Sequence, residues 1–249
     1  MKNPPLHLKE ASEFEPLYPP QEFILEETLR REAERASTSD NHLGRVVYDA
    51  VNPSNYWPNG VAPPVSKEGE LPPYYVSPSQ AHSETDTTLE FESRFESGNL
   101  RRAIQVSEFE YDLILKPDYN TRGYTQWYYF RISNIRAGKL YRFNIINLMK
   151  PDSLYNHGMR PLVYSETEAK KSGKGWVRGG SDICYYQNSQ RKPNGYYYTL
   201  TWSISFEHDS DVAYMSHSYP YTYTDLCRYL DKLENDPKTR PRMRRKPLC

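Results

Sequence analysis

The chain has 249 residues, and its 32 basic and 32 acidic side chains give a formal net charge of zero. This balance excludes a chain-wide attraction to nucleic acid or to an anionic membrane, so any such binding must come from a local patch. Apolar runs such as "LIL" and "NIINLM" are far shorter than the roughly 20 residues of a membrane-spanning helix. The first residues also lack the apolar segment of a secretory signal.

The first part of the chain is rich in proline. Twelve of the 20 prolines lie within the first 80 residues, and proline interrupts both helices and central strands. Residues 1–85 are therefore predicted to form a partly ordered leader, with a short amphipathic helix over 22–37 and a strand over 44–51. We expect the remainder to be extended and to lie against the body through Tyr48, Trp57, Tyr74 and Tyr75.

From Thr87 onward, apolar and polar residues alternate with a period of two. The clearest run is "YTLTWSISF", which places Leu200, Trp202, Ile204 and Phe206 on one face of a strand. Turn signals separate about eight or nine such runs, which is the spacing of a sandwich. Residues 86–219 are therefore predicted to form an antiparallel β-sandwich, and the fold class is mainly β.

The period changes again after Tyr219. The run "TYTDLCRYLDKLEND" places Leu226, Leu230 and Leu233 on one face of a helix, which Thr222 or Thr224 caps and Pro237 ends. Residues 220–249 thus predict one C-terminal α-helix followed by a basic tail. Its apolar face requires a partner, and without one we expect marginal solubility or self-association.

Three segments suggest chemistry without specifying it. "HLKE" pairs His7 with Glu10 in the spacing of zinc carboxypeptidases, but this short pattern recurs by chance and nothing places a third ligand nearby. The stretch "SISFEHDSDVAYMSHSYPYTYTDL" offers an acid–base pair or metal ligands, although its acids fall where two strands are joined, which favours a surface turn. The glycines of "GKGWVRGGS" lack the Lys-Ser/Thr ending of a P-loop, which favours a hairpin or a ligand loop.

Basic side chains recur among the tyrosines of the body. A basic, aromatic sheet face is able to bind single-stranded nucleic acid or an acidic peptide tail, and the alternative is scattered solvated charge. The neutral net charge disfavours nucleic acid. The residues that we assign to acidic-tail binding are Arg101, Arg102, Arg131 and Arg142.

Five longer stretches resemble the cytosolic carboxypeptidases. They are "FESRFESGNLRRAIQV", "EYDLILKPDYNTRGYTQWYYFRISN", "YRFNIINLMKPDSLYNHGMRPLVYSE", "GKGWVRGGSDICYYQN" and "YYTLTWSISFEHDSDVAYMSHSYPYTYTDL". The resemblance runs from about Leu89 to Leu230, with the type 2 and type 3 members nearest, and the leader contributes nothing to it. This family consists of zinc enzymes that trim glutamates from the tails of tubulin and other proteins.

The resemblance implies an amino-terminal β-sandwich, with "YPYTYTDLCRYLDKL" as the junction to the carboxypeptidase domain and its first helix. The zinc ligands, the substrate-binding arginines and the general-base glutamate of the family lie further along, so none is carried over to this chain. "HLKE" is not the family's motif. We therefore expect a truncated form, with no catalytic or metal residue and no cofactor of its own.

The sequence thus predicts a non-catalytic domain that supports folding of a carboxypeptidase and orients its substrate. Its expected partners are the missing carboxypeptidase domain and tubulin or other glutamate-rich tails. The alternative is a stand-alone binding module for acidic tails. The widely spaced cysteines favour a reducing compartment, so we expect a cytoplasmic protein that associates with microtubules.

Overall fold

A computed structural model describes residues 45–50, 86–119, 121, 123–192 and 194–246 of the chain. Two α-helices are present in this part, α1 (Glu166–Ser172) and α2 (Tyr223–Asn235), with 3₁₀ turns at Leu154–His157 and Arg240–Arg242. The strands are β1 Arg45–Asp49, β2 Glu90–Glu92, β3 Leu100–Ser107, β4 Glu110–Leu115, β5 Tyr129–Ser133, β6 Leu140–Leu148, β7 Leu162–Ser165, β8 Val177–Arg178, β9 Ser181–Lys192, β10 Gly195–Ser205 and β11 Ala213–Ser216.

The strands form two sheets that pack face to face. One has six strands in the order β1-β3-β4-β6-β10-β9, and the other has five in the order β2-β5-β11-β7-β8. Neighbouring strands are antiparallel except for β4 and β6, which run parallel. The predicted sandwich is confirmed. The described residues hold eleven strands: β1 is the strand predicted for 44–51, and the body has ten where about eight or nine were predicted, since β8 is too short to show an alternating pattern.

The first strand lies inside the predicted leader. β1 pairs with β3 and forms an edge of the six-stranded sheet. Tyr48 is buried in the core, and its hydroxyl accepts a hydrogen bond from the backbone N–H of Ser93 at 3.0 Å. The leader helix predicted for 22–37 and the contacts predicted for Trp57, Tyr74 and Tyr75 lie outside the described residues.

The core between the sheets is aromatic. Trp202 is fully buried, with its ring stacked on Tyr128 at 5.8 Å and 5.4 Å from the ring of Phe143. The predicted inward face of β10 is confirmed, because Leu200, Trp202 and Phe206 are buried and Ile204 packs against them. Period-two alternation therefore identified the buried side of this strand correctly.

The sequence predicted one of the two helices, α2, but not the other, α1. α2 begins at the predicted cap, where Thr222 and Asp225 form a capping box, and it ends before Pro237. α1 has only seven residues, too few for a recognisable apolar period, and the sequence did not predict it. Its ends are nevertheless marked, since Ser165 caps the first turn and Gly173 adopts the left-handed conformation at φ 74°. No helix in the described part of the chain is long and apolar enough to cross a membrane.

Candidate functional site

Two of the four arginines assigned to acidic-tail binding lie in the interior. Arg101 and Arg102 are 3% and 1% exposed, and both pair with the carboxylate of Asp49 on β1. Arg102 Nε and Nη2 lie 3.0 Å and 2.9 Å from Asp49 Oδ2, and Arg101 Nη1 donates to Asp49 Oδ1. Their guanidinium groups join β1 to β3 and do not face a ligand.

The other two arginines lie on opposite outer faces of the sandwich. Arg131 belongs to β5 of the five-stranded sheet, between the inward-facing Phe130 and Ile132. Arg142 is exposed on β6 of the six-stranded sheet, between the buried Tyr141 and Phe143. The structure does not bring the four residues into one patch, which corrects the expectation of a single site.

The acids of the stretch that follows β10 have structural partners. Asp211 is 2% exposed and accepts hydrogen bonds from Ser165 Oγ at 2.5 Å and from the backbone N–H of Thr167 at 3.0 Å. Burial opposes ionisation of Asp211, but these hydrogen bonds outweigh it and lower the pKa of this carboxyl. Asp209 Oδ1 accepts from the backbone N–H of Ala137 at 2.8 Å. The prediction of a turn between two strands is confirmed.

One group in the described part of the chain has the chemistry of metal ligands. The ligand atoms of Glu168, Glu207 and His208 lie within 4.8 Å of one another. His208 Nδ1 lies 3.4 Å from Lys171 Nζ and His208 Nε2 lies 3.1 Å from Glu168 Oε2, so both ring nitrogens have side-chain neighbours, one of them a cation. A lysine ammonium beside the ring opposes the binding of a metal cation there. His7 and Glu10 lie outside the described residues.

A hydrogen-bonded chain connects His217 to the core. The hydroxyl of Tyr128 lies 2.7 Å from that of Tyr155, which lies 3.4 Å from His217 Nδ1. Burial raises the pKa of Tyr155 to about 12. Burial, together with the charges of Arg178 and Lys150, lowers the pKa of His217. The lowered pKa favours the neutral form of His217, whose ring packs edge-on against Tyr128 and Tyr155.

We expect His217 to make folding stability depend on pH. Because its pKa is lower in the folded chain than in the unfolded one, the unfolded chain binds the proton first as the pH falls. The free energy of unfolding should therefore decline as the pH is lowered from about 7 through the ordinary histidine range near 6.5. Urea unfolding at a series of pH values measures this slope.

His217→Gln should flatten the slope between about pH 7 and pH 5.5, above the range in which carboxylates titrate. His157→Gln is the matched control, since the side chain of His157 is 65% exposed. If the two variants have the same pH dependence, His217 is not its source.

Six aromatic side chains form an aromatic face on the outer side of the five-stranded sheet. The ring centroids of Tyr129 lie 4.9 Å from Phe95, 5.9 Å from Trp176 and 6.2 Å from Tyr214. Burial raises the pKa of Tyr129. The nearby hydroxyl of Tyr214 on β11 and the carboxylate of Asp225 on α2 raise it further. The full set of this aromatic face is Phe95, Trp127, Tyr129, Tyr164, Trp176 and Tyr214.

This aromatic face was not among the features predicted from the sequence. The signal was present in "WYYFRIS", where Phe130 and Ile132 occupy the inward positions of β5 and Tyr129 and Arg131 the outward ones. A single outward aromatic residue is common on protein surfaces, whereas a contiguous patch of them marks an interaction surface. Only the pairing of β5, β11 and β7 shows that the outward aromatics of three strands meet.

Helix α2 follows this face and is uncovered. The backbone N–H of Thr224 donates to Glu96 Oε1 at 2.9 Å, which holds the first turn against the loop after β2. No residue of α2 is buried, and the exposed fractions of Leu226 and Tyr229 are 37% and 54%. Tyr219 and Tyr221 in the preceding segment are exposed by more than 60%. The aromatic face, this segment and α2 are neighbours along one side of the molecule, and this segment and α2 carry five of the exposed large hydrophobic side chains of the described chain, Tyr219, Tyr221, Tyr223, Leu226 and Tyr229.

Comparison with known proteins finds relatives of this chain by sequence. The family model "Cytosolic carboxypeptidase N-terminal domain" matches residues 91–217. Cytosolic carboxypeptidase 3 of Bos taurus is 52% identical over 152 residues, covering 61% of this chain and 15% of the relative. Cytosolic carboxypeptidase 2 of Danio rerio is 46% identical over 181 residues, covering 73% of this chain and 25% of the relative.

A solved metallo-carboxypeptidase from Pseudomonas aeruginosa is also similar, with 20% identity and a TM-score of 0.40 over 58% of this chain and 33% of that one. This chain spans only 15% and 25% of the length of the two curated relatives named above. The resemblance to types 2 and 3 is confirmed. Because the family model matches more than half of its length, this chain belongs to the cytosolic carboxypeptidases and carries their N-terminal domain.

Proposed function

We propose that this chain is a non-catalytic accessory domain that supports the folding of a carboxypeptidase domain and docks against it. The observation that carries the proposal is the uncovered α2, a well-capped helix with no buried residue. An amphipathic helix gains most of its stability from burying its apolar side. The described tail contacts α2 through Thr239, which donates to the carbonyl oxygen of Leu233, and through Arg245, which pairs with Asp231. It leaves every residue of α2 at least partly exposed, so we place a second folded unit on the apolar side of the helix.

The position of α2 defines the surface that the partner covers. The helix starts beside the aromatic face, to which Thr224 and Glu96 anchor it. Tyr221 and Tyr223 precede Leu226 and Tyr229 in one continuous exposed segment. Exposed apolar patches of this extent mark protein–protein contacts in soluble proteins, and tyrosine is enriched in the centre of such contacts.

The chemistry of the whole enzyme belongs, in this proposal, to the carboxypeptidase domain. A zinc peptidase needs a metal-activated water and a positioned base, and we place both outside this chain. The removal of glutamates from tubulin and other tails, a cytoplasmic location and an association with microtubules are likewise proposed for the complete protein. The sandwich contributes a rigid base that orients the substrate.

The test mixes this chain with a separately expressed carboxypeptidase domain of one of the matched relatives. We expect a 1:1 complex by size-exclusion chromatography with light scattering. The double variant Leu226→Glu, Tyr229→Glu should weaken it at least tenfold, since it places charge in an apolar contact. In a parallel arm, this chain alone with added zinc should release no glutamate from a glutamate-ended peptide.

A matched control substitutes Arg142→Glu on the outer side of the other sheet, where it should leave the complex unchanged. Equal weakening by both variants, or the absence of any complex with wild-type protein, contradicts docking through α2. Release of glutamate that a chelator abolishes contradicts a non-catalytic role.

The alternative, a stand-alone module for acidic tails, stays a prediction with a narrower basis. Arg101 and Arg102 are buried, which leaves Arg131 and Arg142 on separate faces. Two isolated surface cations attract a polyanion only weakly at physiological salt. We therefore favour the docking role.

A further inference from the structure

Arg178 lies at the border of the aromatic face. Trp176 of that face is two residues before Arg178, which ends β8. In the sheet, Arg178 is paired with Leu162, Leu162 with Ser216, and Ser216 with Tyr129. Side chains directly opposite one another on neighbouring strands share a face of the sheet, so Arg178 projects from the same outer face as Tyr129. The cation is therefore continuous with the surface proposed for docking.

The guanidinium group of Arg178 is held in place by the backbone. Its Nη1 donates to the carbonyl oxygen of Arg160 at 2.5 Å and to that of His217 at 3.4 Å. The side chain is nevertheless exposed, and its Nε and Nη2 donate to no residue that the structure describes. These two nitrogens form one side of the planar group, which is able to bind a carboxylate through two parallel hydrogen bonds. Because the group is already positioned, little side-chain entropy is lost when an anion binds.

Lys150 and Arg178 together form a basic rim at this end of the sandwich. Both side chains are exposed, and both act on the same imidazole, because burial, followed by the charges of Arg178 and Lys150, lowers the pKa of His217. Burial raises the pKa of Tyr155 to about 12, and the hydrogen bond from Tyr128 and the charge of Arg178 oppose this rise. Among the described residues, the charges that act on His217 and Tyr155 are thus all positive. The potential at the basic rim favours an anion.

Two acids lie close to the basic rim in the chain, and both have other partners. Asp152 Oδ1 accepts from the backbone N–H of the next residue at 2.7 Å and from Asn156 Nδ2 at 3.2 Å, and its Oδ2 lies 3.5 Å from His157 Nε2. Asp182 Oδ2 accepts from the hydroxyl of the preceding serine at 3.1 Å. Neither acid forms an ion pair with the basic rim in the part of the chain that the structure describes. The counter-charge must then come from another molecule.

We propose that the docked carboxypeptidase domain places an aspartate or glutamate carboxylate against Arg178, with Lys150 strengthening the attraction. This inference rests on the docking role proposed above and names the chemistry of the partner at one border of the contact. Protein interfaces combine an aromatic, apolar centre with a polar rim, and the aromatic face and the basic rim follow this arrangement. Complementary charge at a rim accelerates association and fixes the orientation of the two partners.

The test measures binding of this chain to the separately expressed carboxypeptidase domain of a matched relative at about 50 mM and about 500 mM salt, since the higher concentration screens exposed charges. At the lower concentration, Arg178→Gln should weaken the complex about tenfold, the usual effect of losing one charge-assisted hydrogen bond. Arg178→Glu should weaken it further, because repulsion replaces attraction. Lys150→Glu, whose side chain has no described partner to lose, should slow association. All three effects should shrink at the higher salt concentration.

Arg142→Gln, on the outer side of the other sheet, is the matched control and should bind as wild type does. Urea unfolding checks that Arg178→Gln stays folded without its two backbone contacts, and if it does not, Lys150→Glu decides. A complex that Leu226→Glu, Tyr229→Glu weakens but that neither rim variant changes overturns the carboxylate contact and leaves docking intact. Weakening that is equal at both salt concentrations also overturns it, since it indicates a structural defect. Absence of any complex with wild-type protein overturns both proposals.

Discussion

Replacing Asp49 by Asn should lower the free energy of unfolding by about 3–5 kcal/mol, the usual cost of removing one partner from a buried ion pair. The carboxylate of Asp49 lies between the guanidinium groups of Arg101 and Arg102, and all three side chains are at most 4% exposed. The substitution preserves shape and removes only the charge. Urea unfolding followed by tryptophan fluorescence measures the difference.

Arg142→Gln is the matched control for this substitution. Arg142 was assigned to the same set in the sequence but is exposed on β6, so its removal should change the unfolding free energy by less than about 0.5 kcal/mol. Equal effects of Asp49→Asn and Arg142→Gln would show that the buried ion pair contributes nothing specific to the attachment of β1.

Replacing Trp202 by Ala should cost about 3–5 kcal/mol, because it leaves a large cavity in the core. Trp202 is fully buried against Tyr128 and Phe143 and belongs to β10, which pairs with both β6 and β9. The surrounding rings are held by two sheets and are poorly placed to fill the space. Urea or thermal unfolding measures the loss.

The substitution Trp202→Phe distinguishes the contribution of the aromatic ring to stability from that of the indole N–H group. Trp202 Nε1 is buried and has no hydrogen-bond partner in the described structure, so phenylalanine removes an unpaired polar group while keeping an aromatic ring. We expect the free energy of unfolding to fall by roughly 1 kcal/mol or less. The smaller phenylalanine ring leaves some core volume unfilled, but it also removes the unfavourable burial of an unpaired N–H group. A cost equal to that of the alanine variant would show that the indole nitrogen is satisfied in solution.

Much of the fold was predictable from local patterns. The alternation in β10 predicted its buried face, and Thr222, one of the two predicted caps, marks the start of α2. The shortest strand was not predictable in this way. β8 has two residues, so it depends on its neighbour in the sheet rather than on a pattern of its own.

The sequence by itself determined the β class, the position of α2 and the family, because these depend on periodicity, capping and similarity along the chain. Only the tertiary structure decided which charged residues face solvent. Arg101 and Arg102 resemble surface cations in the sequence, but a register shift in the β3–β4 pairing and a carboxylate from β1 bury them. Asp49 lies more than fifty residues before them. A charged side chain can be buried when an opposite charge pairs with it, and a partner this distant in the chain cannot be recognised from the local sequence.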